Sequence, residues 1–259
     1  MSPKRDRREL MPSYPRQYNY PHFRFSDEDA ELAFWSDTAP ALGFTAPDFV
    51  LPSLDGRPWR LSERRGRALV LEFGSYTCPI FCGHVARMEL LADEFPEAAF
   101  AIVYVREAHP GEVTPHHGSA DRKAEMAHAV VAAEGIRRTV LVDSTAGDVH
   151  LRYGGGYNSV FVLDAQGHVV VRRYWNEPSD VRAVLLTLRT DSRPLPIESV
   201  RFGIPSDRSS VGLEMLERGG RDAVRDFARD APARILRQLD RSGDEVRAIV
   251  GSITADSAS

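Results

Sequence analysis

A three-layer α/β fold with a mixed central sheet is predicted by three observations. Short apolar runs alternate with longer segments of helical spacing, a hairpin pattern precedes them, and a second hairpin pattern follows them. Buried strands joined by covering helices produce that alternation. With 42% apolar and 27% charged residues, 259 residues suffice for one full domain with extensions.

Residues 1–42 read as an irregular N-terminal extension rich in Pro, Tyr and Arg, which wraps the domain or is partly disordered. Its acidic segment, Ser26 to Glu31, marks the start of a short helix before Trp35. Phe49-Val-Leu and Trp59-Arg-Leu flank Leu54-Asp-Gly-Arg, a hairpin with an Asp-Gly turn. Ala68-Leu-Val-Leu-Glu-Phe has the near-continuous apolar character of a buried strand. A helix starts beside Cys78, with Pro79 in its first turn. Val85, Met88, Leu91, Ala92 and Phe95 give its apolar face before Pro96 stops it. A strand at 100–105, a helix at 121–134 and a strand at 139–142 follow. Strands at 160–163 and 168–173 form a hairpin across Asp164-Ala-Gln-Gly, and a helix at 179–188 closes the unit. Hairpin, β, α, β, α, β, then ββα is the order of a thioredoxin-like fold, here assigned to residues 43–190. Residues 191–259 read as a helical C-terminal extension, in which Val211, Leu213, Leu216, Val224, Phe227, Ile235, Leu236, Leu239, Val246 and Ile249 recur at helical intervals.

The formal charge of −4 argues against bulk attraction to nucleic acid or to an anionic membrane. No apolar run reaches 18 residues, so no transmembrane helix is expected, and the polar N-terminus lacks a secretory signal. A cytoplasmic location is the expectation. Two cysteines, Cys78 and Cys82, are too few for a disulfide scaffold, so their placement is read as chemistry or burial.

Phe73-Gly-Ser-Tyr-Thr-Cys-Pro-Ile-Phe-Cys carries the strongest signal. It sets Cys78 after a buried strand and at a helix start, where unpaired N–H groups and the helix dipole favour a thiolate. Thr77 and Ser75 are placed to donate hydrogen bonds to the sulfur or to position a substrate. Cys82 lies one turn on, to resolve an oxidised Cys78, share a metal with it, or fill the core.

Gly74-Ser-Tyr-Thr-Cys-Pro-Ile-Phe resembles the iodothyronine deiodinase run Gly-Ser-Cys-Thr-selenocysteine-Pro-Pro-Phe. Val103-Tyr-Val-Arg-Glu-Ala-His-Pro resembles that family's Tyr-Ile-Glu-Glu-Ala-His-Pro, and Pro115-His-His-Gly-Ser its Pro-Gln-His-Arg-Ser. The resemblance spans residues 45–189. It implies that Cys78 is the nucleophile that attacks halogen. It also implies that Thr77, Tyr104, Glu107 and His109 polarise the site and deliver a proton, and that His117 contacts substrate or relays a proton. A nucleophile paired with a group titrating near neutrality suits reductive dehalogenation. His109 is the expected acid, supported by Glu107. Sulfur in place of selenium implies slower turnover, and Tyr76 in place of the neighbouring family cysteine leaves Cys82 as the resolving thiol. Arg172 and Arg173 lie near the place of a late substrate-clamping arginine. No cofactor and no metal is expected beyond an external thiol or thioredoxin reductant. The expected partner is a small-molecule substrate, with a homodimer left open.

Three other readings compete. Cys78-Pro-x-x-Cys82 is similar to the copper site of cytochrome oxidase assembly chaperones, but Gly156-Tyr-Asn-Ser-Val lacks their distal histidine, leaving His84 as substitute. A peroxiredoxin-like peroxidase needs Pro and Thr where Leu71 and Ser75 stand. A non-catalytic scaffold would use the two extensions as its interaction surfaces.

Overall fold

The computed structural model describes residue 14 and residues 16–190, 197–199 and 216–232. A two-stranded antiparallel hairpin, β1 (Val50–Pro52) and β2 (Pro58–Arg60), precedes the main sheet. Gly56 takes φ +78° in its Asp-Gly turn, a conformation that a residue with a Cβ rarely adopts.

The main sheet contains β3 (Leu69–Gly74), β4 (Ala99–Tyr104), β5 (Thr139–Val142), β6 (Val160–Leu163), β7 (Val169–Arg173) and β8 (Ile197–Ser199), in the order β5-β4-β3-β6-β7-β8. The β3–β4, β4–β5 and β7–β8 pairs are parallel, while β3–β6 and β6–β7 are antiparallel. The helices are α1 (Glu28–Thr38), α2 (Pro79–Glu94), α3 (Ala120–Glu134), α4 (Asp148–Arg152), α5 (Pro178–Arg189) and α6 (Arg221–Asp230). A β3-α2-β4 unit, then α3, then the β6–β7 hairpin and α5, in sheet order β4-β3-β6-β7, is the thioredoxin-like topology. β5 is added at one edge.

Strand alternation divides the core. Val70, Val160, Val162 and Val171 meet Met88 and Leu91 of α2 and Val181, Val184 and Leu185 of α5 on one face. Leu69, Leu71, Phe73, Phe161 and Leu163 face the other way, into the cluster that holds Trp35 of α1, Phe49, Trp59 and Tyr153. Fully burying one such side chain stabilises the fold by roughly 1.5–3 kcal/mol.

Three expectations change. The N-terminal extension is not irregular throughout: α1 runs through Trp35, which is fully buried, because its aromatic face completes the core. The C-terminal extension is not purely helical, since Ile197–Ser199 extends the sheet beside β7. The short α4 was not expected. Of the apolar series proposed for the extension, Leu216 and Val224 are buried and Phe227 packs on the core. Its other members, Val211, Leu213, Ile235, Leu236, Leu239, Val246 and Ile249, lie outside the described residues. No helix among the described residues is long and apolar enough to cross a membrane.

Candidate active site

The C-terminal ends of β3 and β4 lie side by side, with Gly74 opposite Tyr104. The chain leaves β3 through Ser75-Tyr-Thr and enters α2 at Cys78, the N-cap residue, with Pro79 in the first turn. It leaves β4 through Val105-Arg-Glu-Ala-His. These two turns are stitched together through one carboxylate. Glu107 Oε2 accepts hydrogen bonds from Thr77 N at 2.9 Å and Thr77 Oγ1 at 2.7 Å. Its Oε1 accepts from the Tyr104 hydroxyl, and His117 Nε2 stands 3.4 Å away. Thr77 Oγ1 also accepts from His109 N at 3.1 Å, and Ser75 Oγ accepts from Ala108 N at 3.2 Å. The residues matched to the deiodinase pattern therefore gather at one strand-end junction.

Several details differ from expectation. Thr77 and Ser75 bond to the 107–109 loop, not to the sulfur. The Glu107 carboxylate receives Thr77, Tyr104 and His117, whereas the His109 ring has a buried Nδ1 without a hydrogen-bond partner. The support His109 receives is through its backbone.

The expected thiolate is also corrected. Cys78 is only 2% exposed. Burial pushes its thiol up to about 12, outweighing the Phe81 and Ile80 backbone N–H groups that favour the anion, and Glu107 and Glu72 add to the rise. Cys82 is raised too, by burial first and then by Glu134. Its thiol lies 3.6 Å from Tyr76 O and 3.8 Å from Ser75 O, with the Arg218 guanidinium 3.7 Å from the sulfur. Both cysteines are free thiols.

His109 does not titrate near neutrality: burial, then Arg16, lowers it to about 3. Burial and then Lys123 bring His117 to about 3 as well, and its Nε2 lies 3.2 Å from Val105 O. Burial raises Glu107 against the donors around it. In this closed arrangement the thiol is protonated and both imidazoles are neutral at pH 7.

Arg172 and Arg173 are otherwise engaged. Arg172 lies over Trp35 at 4.5 Å, and Arg173 pairs with Asp180. His84 is buried on α2, and among the described residues no group of three or more His, Cys, Asp or Glu is arranged to hold a metal ion.

Sequence reasoning missed three contributors. Lys123 is fully buried on α3 and donates to Ser144 O at 2.8 Å; burial lowers it to about 8. Its signal was present: Lys123, Ala127 and Val130 share one helical face, so a cation sat in an apolar stripe. Arg218 and Phe227 come from the C-terminal extension, and nothing local marked them for this site. Phe227 lies 5.3 Å from the His109 ring, and Phe23 of the N-terminal arm lies 4.3 Å from it on a T-shaped contact.

Residues 61–185 match the family model for iodothyronine deiodinase. Type II iodothyronine deiodinase of Fundulus heteroclitus is 42% identical over 60 residues, 22% of this chain and 23% of that protein. That of Petromyzon marinus is 29% identical over 111 residues, 39% of this chain and 38% of that protein. The thiol-disulfide oxidoreductase ResA of Geobacillus thermodenitrificans is 49% identical over 45 residues, 17% of this chain and 26% of that protein. The chain thus spans between 23% and 38% of the length of these curated relatives. Among solved structures, an uncharacterized conserved protein from Geobacillus kaustophilus has a TM-score of 0.49 at 21% identity, covering 64% of this chain and 94% of that one. A thiol-disulfide oxidoreductase from Bacteroides fragilis has 0.43 at 19%, covering 56% and 99%. The segment that carries both turns is thus similar to the iodothyronine deiodinase family.

Proposed function

We propose that this protein is a thiol-dependent oxidoreductase that carries out reductive dehalogenation, or closely related thiol redox chemistry, at Cys78. The observation that carries the reading is the convergence on Glu107: Thr77 beside the cysteine, Tyr104 at the end of β4 and His117 all meet its carboxylate. A thioredoxin-like fold has no structural need for that hub at the very turn holding the thiol. The matches to deiodinases and to a thiol-disulfide oxidoreductase support the same class.

In the proposed cycle the neutral His109 imidazole takes the proton of Cys78 as the sulfur attacks the halogen. An S–I bond forms while the C–I bond breaks, and the proton passes from His109 to the carbon that leaves. An external thiol then attacks the sulfur, releasing iodide with its proton and leaving a mixed disulfide. A second external thiol regenerates Cys78 and departs as the disulfide. Glu107, through Thr77, fixes the cysteine turn relative to the 107–109 loop. A neutral imidazole is the protonation state this sequence requires at its start.

The test is dithiothreitol-dependent iodide release from an iodinated phenol by the full chain. Release is expected to vanish in Cys78→Ser, to fall about a hundredfold in His109→Asn, and to survive in Cys82→Ser. Activity retained in Cys78→Ser overturns the assignment.

A further inference from the structure

The cover over His109 is built from two parts with different attachments. The arm is fixed through buried polar bonds. Tyr20 donates to Ala108 O at 2.7 Å, Tyr18 meets His150 Nδ1 at 2.8 Å, and Asn19 brackets the His117 backbone at 2.6 and 3.2 Å. The Arg106 guanidinium lies within about 5 Å of the rings of Tyr14, Tyr18, Tyr20 and Tyr157. This segment is a rim, and Phe23 stands at its edge.

Helix α6 is held differently. Glu112 accepts from Asp222 N at 2.8 Å and also from Arg221 N, capping the helix start on an exposed loop. His22, with its side chain 60% exposed, meets Asp226 at 2.8 Å. Ala223, Val224, Asp226 and Ala228 are buried on its inner face, and Phe227 stands 6.0 Å from Phe23 and 4.8 Å from Phe25. On the loop side, two glycines allow backbone contact: a Cβ on Gly111 would stand 2.2 Å from Gly219 O, and one on Gly219 would stand 2.5 Å from His109 O. The arm is held by a network of buried polar bonds, whereas α6 is held by small buried side chains, a ring stack and an exposed cap, which makes it the more readily detached of the two.

We infer that α6 is a lid, closed by Phe227 against the Phe23 rim, and that a molecule reaches His109 only when α6 lifts. This rests on the proposed role of His109, whose ring Phe227 covers at 5.3 Å. Arg218, just before α6, crosses from Glu134 at 2.6 Å to Cys82, so lifting the lid also uncovers the second thiol.

The lid is tested without turnover, so its failure is separable from failure of the proposed activity. Diethyl pyrocarbonate at pH 7 modifies neutral imidazole, and peptide mass spectrometry reads each histidine. In the full wild-type chain His109 is expected to react at least about tenfold more slowly than the half-exposed His168. Phe227→Ala and Gly111→Ala, which remove the ring or wedge the seam, are expected to accelerate it about tenfold. Modification of His109 at the rate of His168 in the wild type, or acceleration below about twofold in both folded variants, overturns the lid. Should the variants not fold, wild-type protein in sub-denaturing urea decides. His109 reactivity must then rise together with hydrogen exchange of residues 221–230 and before that of β3 and β4. A rise only with β3 and β4 contradicts the lid.

Discussion

Two buried carboxylates, Glu72 on β3 and Glu107 just beyond β4, are solved in opposite ways. Glu72 is fully buried and meets a guanidinium: Arg138 donates to it at 2.6 Å, and Asn176 donates at 2.7 Å. Arg138 also bonds Glu89 at 2.7 Å, tying β3 to α2. Glu107 is equally hidden, yet its direct partners are an amide, two hydroxyls and a neutral imidazole. A carboxylate paired with a guanidinium has its countercharge beside it, and here the pair ties β3 to α2. One held by neutral donors has no adjacent countercharge, and burial raises its pKa. Two carboxylates hidden alike thus differ in the charge of their partners, and Glu107 is the one bonded to the cysteine turn.

The comparison breaks most visibly in stability. Arg138→Ala leaves Glu72 buried with its countercharge gone, and is expected to destabilise the fold by about 3–5 kcal/mol in urea unfolding. Thr77→Val deprives Glu107 of a hydroxyl donor and His109 N of its acceptor, and is expected to cost about 1–3 kcal/mol. If the two losses are equal, the contrast between a charged and a neutral shell is wrong.

A smaller effect sharpens it through pH. The folded pKa of Glu107 is raised, so the unfolded chain ionises first. Its contribution is fully present below the unfolded value near about 4.3 and is lost as pH rises through the folded value. His109 runs the other way. With a folded pKa of about 3, it contributes above its unfolded pKa near ~6.5 and loses that contribution as pH falls toward about 3. Denaturant midpoints between pH 4 and 8 should fall less steeply on the acid side in His109→Asn than in wild type. Parallel curves would place the histidine in contact with solvent.

Much of the fold was legible because β3 to β7 are compact apolar runs and α2, α3 and α5 carry clear periodicity. β8 was not, since Ile197-Glu-Ser is too short to give a strand signal, and α4 has only five residues. Cys78, Thr77, Tyr104, Glu107, His109 and His117 were found from motif resemblance, and the structure brings their segments together. The hub itself stayed hidden: whether Glu107 holds the His109 ring or the cysteine turn depends on hydrogen-bond direction across two strand ends. The thiolate expectation failed for a related reason. A helix N-terminus is readable in sequence, but the burial that outweighs it comes from packing distant in the chain. Phe227 likewise reaches His109 from an extension that carried no site signal.

The most direct measurement compares Glu107→Gln with Glu72→Gln in the same preparation, reading reductant-dependent iodide release per folded molecule. The account predicts that Glu107→Gln lowers release about a hundredfold while folded protein remains, and that Glu72→Gln leaves release per folded molecule within about twofold. Equal losses in both variants, or full activity in Glu107→Gln, would contradict it.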